Sequence, residues 1–233
     1  MVTIIREHDR LKRIAALRAV GEVNDGMILG LGSGSTVGFV LQALAARVKK
    51  GLQIQGIPTS GKTANLAERF GIPLTDFAAH RHIDLAIDGA DEVERGTLHL
   101  IKGGGGALLR EKIVAAASRK MIVVIDESKL VDRLGTHVPL PIEITSFGWQ
   151  TILDRLTEAG MRPKLRKSGN RPFVTDGGNY IADCATAGIP DPVALEKSLA
   201  GIVGVIESGI FIASASTIIV GGADGVMLLE KVA

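Results

Sequence analysis

The sequence predicts an α/β fold in which an open, mainly parallel sheet has helices on both faces and carries an inserted, smaller α+β domain of the ferredoxin-like (βαββαβ) type. Short apolar runs alternate with segments whose apolar residues recur at helical spacing, which is typical of a parallel sheet covered by helices. Glycine-rich turns follow several of these runs. Beyond about residue 136 the order of the elements changes, and this change indicates the smaller domain.

The first part of the chain opens with an amphipathic helix over residues 8–22. The short apolar run at 27–31 predicts a strand buried on both faces, and a glycine turn leads from it into a second helix that carries Val37, Val40 and Leu44. The remaining elements predicted here are strands at 52–57, 72–74, 83–88, 98–102 and 121–125, and helices at 61–70 and 107–118.

The later part of the chain predicts the order β-α-β-β-α-β, which is that of a ferredoxin-like split unit. Its strands are expected at 141–145, 163–167, 173–184 and 204–211, and its helices at 147–159 and 192–202. Two further apolar runs, 216–220 and 225–229, predict strands that return to the first domain. We therefore expect an α/β catalytic domain of residues 1–134 and 207–233, with residues 135–206 forming the ferredoxin-like insertion.

Composition is that of an ordinary globular protein, with 46% hydrophobic and 22% charged residues. The net charge of +2 and the absence of a basic block argue against nucleic-acid binding. Cys184 is the only cysteine, so one chain cannot form a disulfide or a cysteine-based zinc site, and a reducing cytoplasm fits.

No membrane association is expected from the sequence. The N-terminal residues mix charges of both signs and lack the apolar core of a signal peptide. Residues 27–46 carry no charge over a length that could span a bilayer. Because glycines and a serine-threonine cluster interrupt this stretch, a strand, a turn and a helix explain it better.

Three polar clusters each follow an apolar run, and ligands of open parallel sheets bind beyond the carboxyl ends of the strands. The first cluster contains Ser33, Gly34, Ser35 and Thr36. Free N–H groups at the start of a helix, together with three hydroxyls, suit a phosphate group. The cluster lacks the Gly-Lys-Ser/Thr of a Walker loop, and Ser35 stands where a dinucleotide fingerprint has its third glycine.

The second cluster is Asp88, Gly89, Ala90, Asp91 and Glu92 at the end of the run 83–88. Carboxylates at the end of a buried strand are costly unless they bind something. Asp88 and Asp91 suit sugar hydroxyls, proton transfer or a divalent metal. The metal alternative needs further ligands, and the nearby histidines lie in an expected surface loop.

The third cluster runs from Lys102 through Gly103, Gly104 and Gly105 to Glu111. A glycine turn before a helix brings backbone N–H groups close to an anion, and Lys102 adds a positive charge. A cation, a set of donors and a carboxylate within ten residues suit the removal of a proton from carbon with formation of an oxyanion. A further cation, Lys129, follows the apolar run 121–125.

These segments closely resemble the type A ribose-5-phosphate isomerases. The resemblance rests on GLGSGST at 30–36, DGADE at 88–92 and KGGGGALLREK at 102–112, with further matches in order at 126–129, 139–143 and 175–183. It covers nearly the whole chain. The family commonly has threonine at Ser33, alanine at Gly106 and asparagine at Gly177, and none of these departures removes a reactive group.

The resemblance implies interconversion of ribose 5-phosphate and ribulose 5-phosphate without a metal or an organic cofactor. Carried over by position, the catalytic base falls on Glu111, and Asp88 and Asp91 become candidates for opening the furanose ring in roles that stay undivided. Substrate-contacting segments fall on residues 33–36, 88–91 and 102–105 and on Lys129. Lys12 matches a lysine near the phosphate in some relatives.

Other functional classes fit the sequence less well. A nicotinamide dehydrogenase needs a full glycine fingerprint and an acidic residue after the second strand, and the sequence offers neither. A regulator that senses sugar phosphates would carry a helix-turn-helix segment, for which the residues before the first strand are too few. A phosphosugar-binding protein without catalysis is the remaining alternative. The family also implies homodimers or homotetramers in the cytoplasm.

Overall fold

The computed structural model describes residues 2–230, with the side chains from residue 7 onward. Within this part of the chain the α-helices are α1 (Val2–Val20), α2 (Ser35–Val48), α3 (Gly61–Arg69), α4 (Leu108–Ala116), α5 (Trp149–Glu158) and α6 (Pro192–Ala200). A 3-10 turn covers Glu127–Lys129.

The strands are β1 (Ile28–Leu31), β2 (Gln55–Pro58), β3 (Leu85–Asp88), β4 (Glu92–Glu94), β5 (Leu100–Ile101), β6 (Met121–Asp126), β7 (Leu130–Val131), β8 (Leu140–Ile144), β9 (Arg162–Leu165), β10 (Lys167–Ser168), β11 (Arg171–Pro172), β12 (Tyr180–Ala185), β13 (Val205–Ser208), β14 (Ile210–Phe211), β15 (Thr217–Gly222) and β16 (Gly225–Glu230).

The chain divides into two compact units, which we call unit 1 and unit 2. Unit 1 consists of Met1–Ala90, Arg110–Lys129 and Ala213–Ala233, and unit 2 of Asp91–Leu109 and Leu130–Ile212. This division differs from the expected 1–134, 135–206 and 207–233, because residues 91–109 and the segments around 130 and 210 pair with one another in unit 2.

Unit 1 is built on a six-stranded sheet, within the described residues, of order β16-β15-β6-β3-β1-β2. All neighbours are parallel except β16, which runs antiparallel to β15 at one edge. The inner strands are short and nearly continuous in apolar residues, as strands covered on both faces require. The predicted strand at 72–74 makes only a single bridge, from Leu74 to Gly56.

Helices cover both faces of this sheet. Leu29 and Leu31 point from β1 into a core shared with α1, α2 and α3, to which Ala15, Leu41 and Ala67 belong. Gly30 points the opposite way, where a Cβ atom would lie 2.5 Å from the Val114 side chain of α4. The alternation of a strand therefore places α4 on the second face, as the α/β prediction requires.

Unit 2 contains the predicted ferredoxin-like domain. Its elements follow in the order β8-α5-β9-β12-α6-β13, with the small β10–β11 hairpin between β9 and β12. The antiparallel sheet has the order β13-β8-β12-β9, so that the first and third long strands of the unit lie at its centre. Its core also contains the side chains of Trp149 and Tyr180, the only tryptophan and tyrosine of the sequence, packed against the buried residues.

A second small sheet in unit 2 was not predicted. It has the order β14-β5-β4-β7, and its strands are two or three residues long. The expectation that residues 98–102 form a strand of the parallel sheet is wrong, because Leu100 and Ile101 pair antiparallel with β4 and β14 instead. Among the described residues, no helix is long and apolar enough to cross a membrane.

Candidate active site

The polar clusters of unit 1 follow the carboxyl ends of four adjacent strands of its sheet. Parallel strands end at the same edge, so the segments that follow them are neighbours. In the sheet order β6-β3-β1-β2, these segments begin at Asp126, Asp88, Gly32 and Thr59 respectively. Three of the four belong to the motifs predicted from sequence, and the last was not singled out.

Asp88 is buried, with 3% of its surface exposed, at the end of β3. Its Oδ1 accepts hydrogen bonds from the backbone N–H groups of Ser33 at 3.0 Å and Gly89 at 2.7 Å. A Cβ atom at Gly32 would lie 2.1 Å from the Asp88 carboxylate, so only glycine leaves room for this side chain. The first and second clusters are thus joined through one carboxylate.

A group of hydroxyls surrounds Ser33, which the sequence analysis assigned to phosphate binding. The Ser33 Oγ lies 2.8 Å from both Thr59 Oγ1 and Ser60 Oγ, and 3.2 Å from Thr63 Oγ1. Thr63 in turn donates to the Gly32 carbonyl at 2.8 Å, and Ser60 caps α3. Sequence reasoning missed these three hydroxyls, although their position directly after the apolar run of β2 was a usable signal.

The start of α2 contacts a lysine of α1. Lys12 Nζ donates to Ser35 Oγ at 3.3 Å and lies 4.0 Å from Asp126 Oδ2. The buried Asp126 thus helps to keep Lys12 beside the first turn of α2. This position is consistent with the prediction that Lys12 and residues 33–36 contact the same phosphate group. Lys129 ends the 3-10 turn after β6 and is half-buried.

The remaining motif residues of unit 1 are Gly34, Gly89, Ala90 and Glu111. Gly34 has a φ of 97°, a conformation that favours glycine, and precedes α2. A Cβ atom at Gly89 would lie 3.8 Å from Thr36, so the DGADE turn passes beside α2, and the half-buried Ala90 follows Gly89. Glu111 is in the first turn of α4 and is 4% exposed.

In unit 2, Asp91 is joined to the glycine turn. Its Oδ2 accepts a hydrogen bond of 2.7 Å from the Gly104 N–H, and a Cβ atom at Gly104 would lie 2.7 Å from its Oδ1. The Gly106 N–H donates to the Gly103 carbonyl at 3.0 Å, which closes a tight turn. Gly103 and Gly106 have φ values of 102° and 83°, and Gly104 and Gly105 are exposed at its tip.

Lys102 is almost fully buried, with 2% of its surface exposed. Its Nζ lies 5.5 Å from the centre of the Phe211 ring, within the range of a cation–π interaction. The backbone of Lys102 is fixed by a 2.9 Å hydrogen bond from its N–H to the Gly209 carbonyl. A buried ammonium beside a glycine turn is suited to stabilising a negative oxygen.

Glu92, the third acidic residue of the DGADE motif, has a structural role. Its carboxylate is buried and accepts the backbone N–H groups of Gly135, His137 and Val138 at 2.5, 2.6 and 2.9 Å. The carboxylate therefore satisfies three donors of a loop in unit 2. The described residues contain no group of three or more His, Cys, Asp or Glu side chains that could hold a metal ion.

The family model described as ribose 5-phosphate isomerase A (phosphoriboisomerase A) matches residues 55–225. The chain belongs to the ribose 5-phosphate isomerase A family. It is 51% identical over 221 residues to a ribose-5-phosphate isomerase A of Gloeobacter violaceus, with 95% of this chain and 96% of that protein covered.

Solved structures of the ribose 5-phosphate isomerase A family have the same fold. The Methanocaldococcus jannaschii enzyme is 40% identical with a TM-score of 0.92, covering 96% of this chain and 100% of that one. A D-ribose-5-phosphate isomerase in complex with phospho-erythronic acid is 40% identical with a TM-score of 0.91, covering 95% and 98%. The predicted fold class and the resemblance stated from the motifs are therefore confirmed.

Proposed function

We propose that this chain interconverts D-ribose 5-phosphate and D-ribulose 5-phosphate as an aldose–ketose isomerase. The observation that carries the proposal is that a chain with the serine-threonine cluster, the DGADE motif and the glycine turn is 51% identical, over nearly its full length, to a protein named for this activity. A phosphosugar sensor without catalysis is not favoured, because the relatives named here are isomerases.

Glu111 is the proposed base. It takes the proton from C2 of the open-chain aldose and delivers it to C1, while the proton of the C2 hydroxyl passes to the C1 oxygen, so that the carbonyl moves from C1 to C2. The intermediate is an enediolate whose negative oxygen needs donors that are already in place. Lys102 and the N–H groups of residues 103–105 are the proposed donors.

Asp88 and Asp91 are proposed to open the furanose ring, which requires one proton on the ring oxygen and the loss of another from the anomeric hydroxyl. Both carboxylates are held by backbone N–H groups, so each has a fixed direction. Residues 33–36, Gly89, Ala90, Lys12 and Lys129 are proposed as the remaining substrate contacts. The phosphate is assigned to the start of α2, where Lys12 supplies a cation beside Ser35.

The phospho-erythronic acid bound by a related isomerase fits this chemistry. That compound has a terminal phosphate and a planar carboxylate, which matches the planar shape and negative charge of an enediolate. We infer that this chain binds the same class of anion. We also propose, from the family resemblance, that it acts in the cytoplasm as a homodimer or homotetramer.

Replacement of Glu111 tests the proposal. We expect Glu111→Gln to lower kcat about 10²–10⁴-fold, with little change in KM, because the side chain keeps its size and loses its proton acceptor. Product formation from ribose 5-phosphate and exchange of the C2 proton with deuterated solvent, both followed by NMR, should fall together. Free ribose serves as the comparison substrate and should turn over poorly.

The matched control is Glu68→Gln, which changes an exposed glutamate of α3 in the same unit. Its kcat should stay within about twofold of wild type, since exposed substitutions seldom change stability by more than about 0.5 kcal/mol. If Glu111→Gln keeps more than about a tenth of wild-type kcat, the base lies elsewhere. If the wild-type protein forms no ketose at all, the isomerase proposal itself is wrong.

A further inference from the structure

Arg166, which lies between β9 and β10, contacts the glycine turn within unit 2. Neither the motifs nor the family resemblance singled it out. Its Nη1 donates to the carbonyls of Gly103 at 3.0 Å and Gly104 at 3.1 Å. The guanidinium also binds both oxygens of Asp183, through Nε at 2.8 Å and Nη2 at 2.5 Å. With side chains only 16% and 23% exposed, this is a largely buried bidentate ion pair.

The guanidinium is held on a further side by an aromatic ring. Its central carbon lies 5.8 Å from the centre of the Phe173 ring. A Cβ atom at Gly106 would lie 2.5 Å from that same ring, so Phe173 packs between Arg166 and the end of the turn. The backbone of Arg166 is fixed as well, through hydrogen bonds with Ile181 and Phe173. The arginine thus has a single defined direction toward the turn.

The direction of these bonds sets the direction of the turn's N–H groups. A trans peptide is planar, and its C=O and N–H groups point in opposite directions. The Gly103 carbonyl and the Gly104 N–H belong to one peptide, which Arg166 holds at one end and Asp91 at the other. The Gly104 carbonyl and the Gly105 N–H belong to the next peptide, so Arg166 directs the Gly105 N–H away from itself at the exposed tip of the turn.

We propose that Arg166, oriented by Asp183, is a positioning residue for the isomerase reaction: it fixes the two peptides on either side of Gly104, so that the Gly105 N–H serves as an oxyanion donor. The inference rests on the proposed function, since it assigns a role in the step that forms the enediolate. Glycines at the tip of a turn are free to rotate, and a donor that must reorient during the reaction loses much of its effect. A fixed guanidinium removes that freedom without touching the substrate.

Arg166→Lys is the primary test. Lysine keeps the charge but lacks the planar fork, so it cannot bind both Asp183 oxygens and still donate to the turn. We expect kcat to fall about 10–100-fold, in line with the effect of a misplacement of about 1 Å, with KM changed by less than about threefold. The matched control is Arg171→Lys on β11, an exposed arginine of the same segment, which should leave both constants within about twofold.

Two further measurements separate positioning from folding. Added guanidinium at millimolar concentration should restore part of the kcat of Arg166→Ala, whereas ammonium should not. Amide hydrogen exchange of ¹⁵N-glycine-labelled protein without substrate should become faster at Gly104 in Arg166→Lys, because the Gly104 N–H donates to Asp91 only while its peptide is held in place. If the arginine variants do not fold, Asp183→Asn keeps the shape of the carboxylate and should show the same exchange change and a smaller loss of kcat.

The outcomes distinguish this inference from the proposed function. An Arg166→Lys variant with the kcat of the Arg171→Lys control, or one that raises KM and leaves kcat unchanged, overturns the positioning role. Unchanged glycine exchange overturns it too, and that readout needs no activity. A wild-type protein that does not isomerise ribose 5-phosphate overturns the proposed function, while the exchange result still decides whether Arg166 fixes the turn.

Discussion

Asp183 and Cys184 are adjacent residues of β12 whose side chains lie in opposite environments. Asp183 binds Arg166, whereas Cys184 is fully buried in the core of unit 2. Burial, with a smaller contribution from the charge of Asp183, raises the pKa of the Cys184 thiol from 9.0 to about 12. Because successive side chains of a strand point to opposite faces of the sheet, two adjacent residues carry an ion pair on one face and a neutral thiol on the other.

The raised pKa of Cys184 predicts a loss of stability at alkaline pH. The thiol stays protonated in the folded protein up to about pH 12, whereas in the unfolded chain it ionises from about pH 9. The contribution of the thiol to the free energy of unfolding is therefore fully present below pH 9 and is lost as pH rises from about 9 toward 12. We expect the free energy of unfolding to fall by about 1 kcal/mol more in the wild type than in Cys184→Ala between pH 9 and pH 10. Urea unfolding of both proteins at each pH measures this difference.

Cys184→Ala removes this single thiol and leaves every other ionisable group of the chain in place, so the variant is the control for the pH dependence of the wild type. The thiol of the folded wild type should also react with iodoacetamide far more slowly than that of the urea-unfolded chain, because the thiolate is the reactive form. A difference in unfolding free energy that stays constant over this pH range would mean that the folded core tolerates the thiolate.

At the scale of single residues, the sequence predicted the acidic and glycine motifs but not their supporting groups. Asp88 and Gly32 are distant in sequence, and only the structure shows that one makes room for the other. Arg166 could not be found from sequence, because a lone arginine between two strands has many possible partners. Its role depends on Asp183 and on two carbonyls more than sixty residues away.

Among the elements, α1 and β15 approach so closely that their backbones are in contact. A Cβ atom at Gly221 of β15 would lie 2.1 Å from the carbonyl oxygen of Leu11 in α1. Backbone atoms of a helix cannot move aside as a flexible side chain can, so the glycine sets the distance between helix and sheet. In α2, by contrast, a Cβ atom at Gly38 would meet nothing within 4 Å.

These two glycines predict opposite effects of the same substitution. Gly221→Ala should destabilise the protein by about 1–3 kcal/mol or more, because it forces α1 away from the sheet. Gly38→Ala should stabilise it by about 0.5–1 kcal/mol, since alanine loses less conformational freedom in a helix. Urea midpoints at equal protein concentration compare the variants. Similar shifts in both would contradict the close approach at Gly221.

Elements with strong periodicity were predicted well, whereas β4 and β7 were missed and the residues of β5 and β14 were assigned to longer strands at 98–102 and 204–211. The helices and the strands of the main sheet produce apolar patterns long enough to recognise. Strands β4, β5, β7 and β14 have two or three residues each, too few for any period, and their partners come from three separate parts of the chain. That is why the boundary between the units was expected near 134 and 207 rather than at the residues observed.

For the whole molecule, the donors proposed for the reaction are hydroxyls, glycine N–H groups and lysines. Such donors can stabilise negative oxygens without a metal ion. We therefore expect isomerase activity to survive dialysis against EDTA, with kcat within about twofold of the untreated protein. The control is the dialysed protein assayed again with added Mg²⁺ or Mn²⁺. Activity that is lost on dialysis and restored by either ion would mean that the carboxylates hold a metal.

Trp149 and Tyr180 both belong to unit 2, and the sequence has no other tryptophan or tyrosine. Their ultraviolet emission therefore reports on unit 2, because the phenylalanines of unit 1 emit only weakly. Circular dichroism, in contrast, records the helices of both units. If the two signals disappear at different denaturant concentrations, the units unfold separately, and the separation of the two midpoints reports how far their stabilities differ.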